Sequence, residues 1–285
     1  MGYGSYSVVS ATNTAAERGY ATMDTLSLFS NRKIEKKMSP INLTFRESRD
    51  SAEHPNSFPI IIGLDVTGSM GSIPHYLIAH TFPKIMGKIM QAGEKDPQVL
   101  FTAVGDHEVD SSPLQVGQFE SSDELLDKWL RNVYLEGGGG GNAGESYHLA
   151  WYLAANHTKL DSFEKRGKKG ILFTIGDEPT LKSLSSADIK NITGNGDCKS
   201  KSAAELLEDA QKMYDVYHIH VTFTGAGRDK RTQDGWKQLM GDHVLFANTQ
   251  DEIANLIADT VIKHKTSTIT PAKNGVEVND AEVAL

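Results

Sequence analysis

Short apolar runs, each followed by a stretch of helical periodicity, constrain this chain more than any other feature. Pro59-Ile-Ile-Ile-Gly-Leu64 and Gly170-Ile-Leu-Phe-Thr-Ile175 are continuous and apolar, the pattern of strands buried on both faces. Residues 99–104, 114–119, 217–223 and 243–246 supply further strands. Between them, helical stripes run through Ile78, Phe82, Ile85 and Ile89, through Leu126, Trp129, Leu130 and Val133, and through Tyr147, Ala150, Trp151 and Ala154. Helices are also expected from Ala203 through Ala210, over 235–240, and over Ile253, Leu256, Ile257 and Val261. Pro74 suits a first turn, and Pro83 predicts a kink. This alternation means a doubly wound α/β fold, with a mainly parallel central sheet and helices on both faces. Ligands of such sheets sit outside the carboxyl ends of the strands, so the residues after each strand are where chemistry is expected.

The alternating domain is read as residues 58–265. Residues 1–57 lack sustained periodicity and are read as an N-terminal arm, with a short helix over 22–29, a short strand over 41–45 and a solvated basic face over 32–37. The polar stretch 178–202 is too long for an ordinary connection and is read as a surface insertion, and 266–285 as a C-terminal tail. Lys and Arg total 29 against 37 Asp and Glu, a net charge of −8, which gives no broad electrostatic basis for binding nucleic acid or an anionic membrane. Cys198 is the one cysteine, so an internal disulfide framework and a multi-cysteine zinc site are both excluded. No stretch approaches the ~20 apolar residues of a membrane span, and the first residues carry no apolar signal region. A soluble, cytoplasmic chain is the expectation.

Three expected strands end in acidic residues. The first runs into Asp65-Val-Thr67-Gly-Ser69-Met70, the second into Gly105-Asp106-His107-Glu108, and the strand over 170–175 into Gly176-Asp177-Glu178-Pro179. Between the last two lies a run of five glycines, 137–141, followed by Asn142-Ala-Gly144-Glu145-Ser146. One carboxylate and two hydroxyls at alternate positions converge as the chain turns into a helix, and hard oxygen donors of this kind suit Mg²⁺, Mn²⁺ or Ca²⁺. Carboxylates gathered at one rim repel each other unless a cation sits among them.

Asp65-x-Thr67-x-Ser69, followed by Met70-Gly71, resembles the metal-ion-dependent adhesion site of von Willebrand factor type A domains. Within that superfamily the chain is most similar to the group associated with alpha-kinases. The residues that carry the likeness are Leu64 to Met70, Asp106-His107, Gly139 to Glu145, and Asp177-Glu178-Pro179, in order over roughly 58–264. No kinase domain accompanies them, so kinase activity is not implied. The resemblance implies a Rossmann-like fold and a divalent cation, Mg²⁺ first, held by Asp65, Thr67, Ser69, Asp177 and a loop residue. At the loop position this chain has glycines and then Asn142, so Asn142 or a water fills that place. Asp106, His107, Glu145 and Glu178 are weaker candidates. The resemblance further implies a protein partner that offers an Asp or Glu to the metal.

Plainer roles compete for the same residues. Asp65, Thr67 and Ser69 are also good helix caps, Glu145 follows Asn142 at the spacing of a capping box, and His218 and His220 read as hydrogen-bonded core histidines rather than zinc ligands. The glycine run is no phosphate loop, because Glu145 stands where that motif needs Lys. The expected function is therefore a metal-dependent protein-binding module, an adaptor or assembly factor rather than an enzyme. One alternative is a Mg²⁺-dependent phosphohydrolase, although the residue two after Asp65 is Thr67 and lacks the carboxyl that general acid–base work needs. The other is a structural subunit of a larger assembly such as a virus particle.

Overall fold

A computed structural model describes residues 4–136, 142, 144–196 and 198–267. The glycine run 137–141 and nearly all of the expected tail lie outside the described residues. The central sheet has six strands: β1 (Phe58–Asp65), β2 (Pro97–Val104), β3 (Leu114–Val116), β4 (Gly170–Gly176), β5 (Tyr214–Val221) and β6 (Val244–Ala247). Their order across the sheet is β3-β2-β1-β4-β5-β6, and every neighbouring pair is parallel except β2 with β3. This is the doubly wound, mainly parallel α/β sheet expected from the apolar runs.

The pleat sorts alternate side chains to opposite layers. Ile60, Ile62 and Leu64 of β1 join one apolar cluster, and Ile61 joins the other. The first layer is covered by α2 (Phe82–Gln91), α3 (Asp123–Arg131) and α8 (Gln250–Ser267), through Phe82, Ile85, Ile89, Leu126, Leu130, Ile253 and Ile257. On the second lie α4 (His148–Asn156), α5 (Ser186–Thr193), α6 (Ala203–Gln211) and α7 (Lys230–Met240), with Trp151 and Trp236 buried between them. The disturbance predicted at Pro83 takes the form of a π-helical turn over Leu77–Thr81 just before α2. Pro83 has no N–H to offer the preceding turn, and a widened turn keeps its ring clear of the carbonyl four residues back. No described helix is long and apolar enough to cross a membrane.

The structure differs from the sequence reading in two segments. Residues 4–57 do not stand away from the domain. Helix α1 (Val8–Glu17) lies over α2, and Tyr6, Tyr20, Leu28, Phe29 and Met38 are buried in the same cluster as Phe82 and Ile85. The short helix is present as Thr25–Leu28, capped by Asp24. The strand lies not at 41–45 but at Arg46–Ser48, paired in parallel with Thr158–Leu160. This segment contributes single aromatic anchors rather than a repeating face, so periodicity does not register it. The second segment is 178–202, read as a surface insertion. It is folded: Ser183–Leu184 pairs with Lys201–Ser202, α5 between them starts with a Ser185–Asp188 capping box, and Leu184 and Ile189 are buried in the core.

Because Phe29 is 2% exposed, Phe29→Ala is expected to cost about 3–5 kcal/mol, and a chain beginning at Asn56 to lose its cooperative melt. Circular dichroism melting checks both; native-like unfolding of the shortened chain would show that the domain stands without the segment.

Candidate metal centre

β1 and β4 are neighbours, and the chain departs from them in opposite directions across the sheet, toward β2 and β3 on one side and β5 and β6 on the other. The crevice between their carboxyl ends is where a doubly wound sheet accepts ligands. Asp65 is the last residue of β1 and Asp177 the first after β4, and both are fully buried. Val66 extends the strand by donating its N–H to the Val104 carbonyl, and the chain then tightens into the 3-10 turn Gly68–Met70. Burial of Val66 and Met70 pins that turn, and Gly71 reverses the chain at φ 52°, a backbone conformation that favours glycine.

The turn places two hydroxyls between the two carboxylates. Asp65 Oδ1 accepts from the Thr67 N–H at 2.9 Å and from the Thr67 hydroxyl at 2.6 Å. Thr67 Oγ1 is 3.3 Å from Ser69 Oγ, which donates to Asp177 Oδ1 at 2.8 Å. The structure thus brings together Asp65, Thr67, Ser69 and Asp177 in one hydrogen-bonded chain. Asp177 Oδ2 is buried without a partner.

A fifth member of this group was invisible in the sequence. The Tyr147 hydroxyl donates to Asp65 Oδ2 at 2.5 Å and receives the Glu178 N–H at 3.4 Å. Its ring is fully buried against His218 and Trp236. By periodicity Tyr147 belongs to the apolar stripe of α4. The available signal was the hydroxyl itself, since a buried tyrosine needs a polar partner, together with Gly176 just before Asp177. A Cβ at Gly176 would overlap the Tyr147 hydroxyl, so only glycine lets Tyr147 reach across the strand end.

The weaker candidates fall around this group. Glu145 is 6% exposed, with Oε2 unpartnered. It is not a capping-box residue: the N-cap of α4 is Tyr147 and its side chain makes no capping bond. Gly144 stands at φ 156°, a conformation that favours glycine, and Glu145 exchanges backbone hydrogen bonds with Pro179 and Leu181, which holds it out of the helix. Asp106 is buried; Oδ1 accepts the Glu108 N–H at 2.8 Å and Oδ2 has no partner. His107 turns to Ser146, whose Oγ accepts its N–H at 2.9 Å and lies 2.7 Å from Nδ1. Asn142 donates its amide to Glu108 at 2.7 Å, so the structure sets it against Glu108 and not within the Asp65–Asp177 group. His218 and His220 are buried and bonded to Thr174 and the Gly227 carbonyl, as core histidines.

The electrostatics are one-sided. Burial pushes Asp65 up to about 7, against the pull of the Thr67 and Tyr147 hydrogen bonds. Burial, then the charges of Asp65, Asp106 and Asp110, push Glu145 up to about 9. Glu178 is raised by its burial and by Asp177 and Asp229. Among the described residues no Lys or Arg bonds to Asp65, Asp106, Glu145 or Asp177. Nor do three or more His, Cys, Asp or Glu side chains stand together as a metal-holding set among the described residues, so a cation here would rest on two carboxylates, two hydroxyls and water. That donor set is one that a hard divalent ion accepts.

The fold is Rossmann-like, as the type A resemblance implies. No protein-family model matches the chain, and no curated protein matches it in sequence. Several solved structures are similar in three dimensions. The pilus adhesin SpaC of Lactobacillus rhamnosus GG, in its open conformation, matches 76% of this chain at 10% identity and a TM-score of 0.48. The chain spans only 31% of that adhesin's length. An aerotolerance-related membrane protein of Bacteroides fragilis NCTC 9343 matches 73% of this chain and 100% of its own, at 14% identity and a TM-score of 0.43. A von Willebrand factor type A structure from Catenulispora acidiphila matches 73% of this chain and 43% of its own, at 14% identity and a TM-score of 0.41.

The two strongly raised acids, Asp65 and Glu145, make stability depend on pH in a fixed direction. A carboxyl whose folded pKa is raised favours the fold while it is protonated, and that contribution is lost as pH climbs from the ordinary carboxylate range through the folded value. In chelator, above the range in which the buried His148 and His218 gain stability from deprotonation, the melting temperature is therefore expected to fall between pH 7 and pH 9, and Glu145→Gln to flatten that decline. A melting temperature that rises over this range would contradict the assignment.

Proposed function

We propose that this chain is a protein-interaction module in which Asp65, Thr67, Ser69 and Asp177 hold a divalent cation, Mg²⁺ in the first instance, that receives an Asp or Glu of a partner protein. The observation that carries the reading is the pair of buried carboxylates at the β1 and β4 ends, bridged by the Thr67 and Ser69 hydroxyls, with Asp177 Oδ2 unpartnered. Two anions are tolerated at such a place when one of them is protonated or when a cation neutralises them. Asp65 and Asp177 would supply the charge and Thr67 and Ser69 the neutral oxygens, while Tyr147 holds Asp65 in orientation through Oδ2. Water, or Asn142 after leaving Glu108, would complete the set on the loop side.

In this reading the site recruits and does not catalyse. Thr67 stands where a phosphohydrolase of this topology needs a second acid, and a hydroxyl transfers protons poorly at neutral pH. A bound cation supplies a directional, charge-assisted contact that a chelator removes.

Calorimetric titration of chelator-treated protein with Mg²⁺ and Mn²⁺ tests the reading. One saturable site is expected, weakened by Asp65→Ala on the order of a hundredfold or more and by Asn142→Ala much less. Binding that survives Asp65→Ala unchanged would overturn it.

A further inference from the structure

Beside the proposed cation site runs an apolar cleft. The chain leaves Asp177 through Glu178-Pro179-Thr180-Leu181-Lys182, and this segment forms one wall of an open cleft of about 330 Å³. The opposite wall comes from α6 and α7, and the lining is mostly apolar, with Pro179, Leu181, Ala203, Trp236 and Leu239 contributing. Gly235 adds no bulk at the rim, where a Cβ would meet nothing within 4 Å, and Trp236, only 2% exposed, contributes an edge to the floor. The Trp236 indole N–H donates to the Glu178 carbonyl at 3.0 Å, which fixes this wall directly to the residue after Asp177. Site and cleft are therefore continuous along one short stretch of backbone.

The cleft also carries a charge preference. Lys182 is the one charged residue among those lining it, and its side chain is exposed. At the other end stand the carboxylates of Asp177 and Glu178. A segment that lies along both would meet the proposed cation at one end and Lys182 at the other. The distance sets the spacing: Asp177 to Lys182 is five residues of backbone, at most ~17 Å when extended.

We propose that the partner of this module is an extended acidic segment in which an Asp or Glu is followed, two to four residues later, by a large apolar side chain that fills the cleft over Trp236, with a further acidic residue meeting Lys182. This rests on the cation reading above and deepens it. The acidic residue gives the contact its dependence on the metal, and the apolar anchor selects the partner. Without a cation, Asp177 and Glu178 repel such a segment, so the anchor does not hold it by itself.

The test uses the full chain and fluorescein-labelled synthetic peptides holding one Asp, a Leu or Phe at a spacing of two, three or four, and a terminal Glu. Binding is followed by fluorescence polarisation in Mg²⁺ and in chelator, with Mg²⁺ calorimetry alongside. The expected result is Mg²⁺-dependent binding at one spacing, weakened on the order of ten- to a hundredfold when the apolar residue becomes Ser, and lost when Asp becomes Asn. Gly235→Phe, which fills the cleft from an unstrained helical position, should weaken the peptide similarly and leave Mg²⁺ affinity unchanged. Lys182→Glu should weaken it less. Peptide binding indifferent to both the apolar residue and Gly235→Phe, with Mg²⁺ still bound, would overturn the proposal and leave the cation reading standing. Absence of Mg²⁺ binding by calorimetry would instead remove the reading beneath it. No binding by any peptide to Mg²⁺-loaded protein would count against the proposal.

Discussion

The site is governed by negative charge gathered at one end of the sheet, with no Lys or Arg among the described residues bonded to Asp65 or Asp177. Asp65 and Asp177 emerge from adjacent parallel strands into a buried crevice, and hydroxyl groups are what join them there. Hydrogen bonds to hydroxyls stabilise a carboxylate but add no opposite charge, and burial works against the ionised form. Chains that bury two carboxylates this close keep one protonated or admit a cation. The neighbouring Glu145, shifted well into the alkaline range by its own burial and by Asp65 and Asp106, sharpens that choice.

The rest of the site is arranged to keep the crevice open and its walls rigid. Gly176 leaves space for the Tyr147 hydroxyl, and the Tyr147 ring is braced by His218 and Trp236, themselves stacked at 3.6 Å between centroids. Trp236 in turn ties α7 to the Glu178 carbonyl. The orientation of Asp65 is thus coupled by a continuous aromatic contact to α7, which faces solvent at Gly235.

The fold was legible because its strands are buried on both faces. Residues such as Ile60, Ile61 and Ile62 have no polar alternates, so the run announces a central parallel strand, and topology then locates the crevice without further information. Asp65, Thr67, Ser69 and Asp177 were legible for the same reason, as polar residues immediately beyond those runs. Tyr147 was not, because helical periodicity records which face a residue occupies and not which atom its hydroxyl reaches. Glu145 was misread for a related reason: the spacing of a capping box is local, whereas the backbone bonds to Pro179 and Leu181 that keep it extended come from 34 and 36 residues away in sequence. The first 57 residues, whose buried side chains are scattered anchors such as Tyr6, Phe29 and Met38, leave no periodic trace at all.

The proposed cation occupies the crevice between the carboxyl ends of β1 and β4. Crystals of the protein grown with Mn²⁺ and measured at a wavelength with strong manganese anomalous scattering test it most directly. One anomalous peak is expected within coordination distance, ~2.0–2.3 Å, of Asp65, Ser69 or Asp177 oxygens. Fully occupied crystals with no peak in the crevice, or with the ion bound only elsewhere, would contradict it.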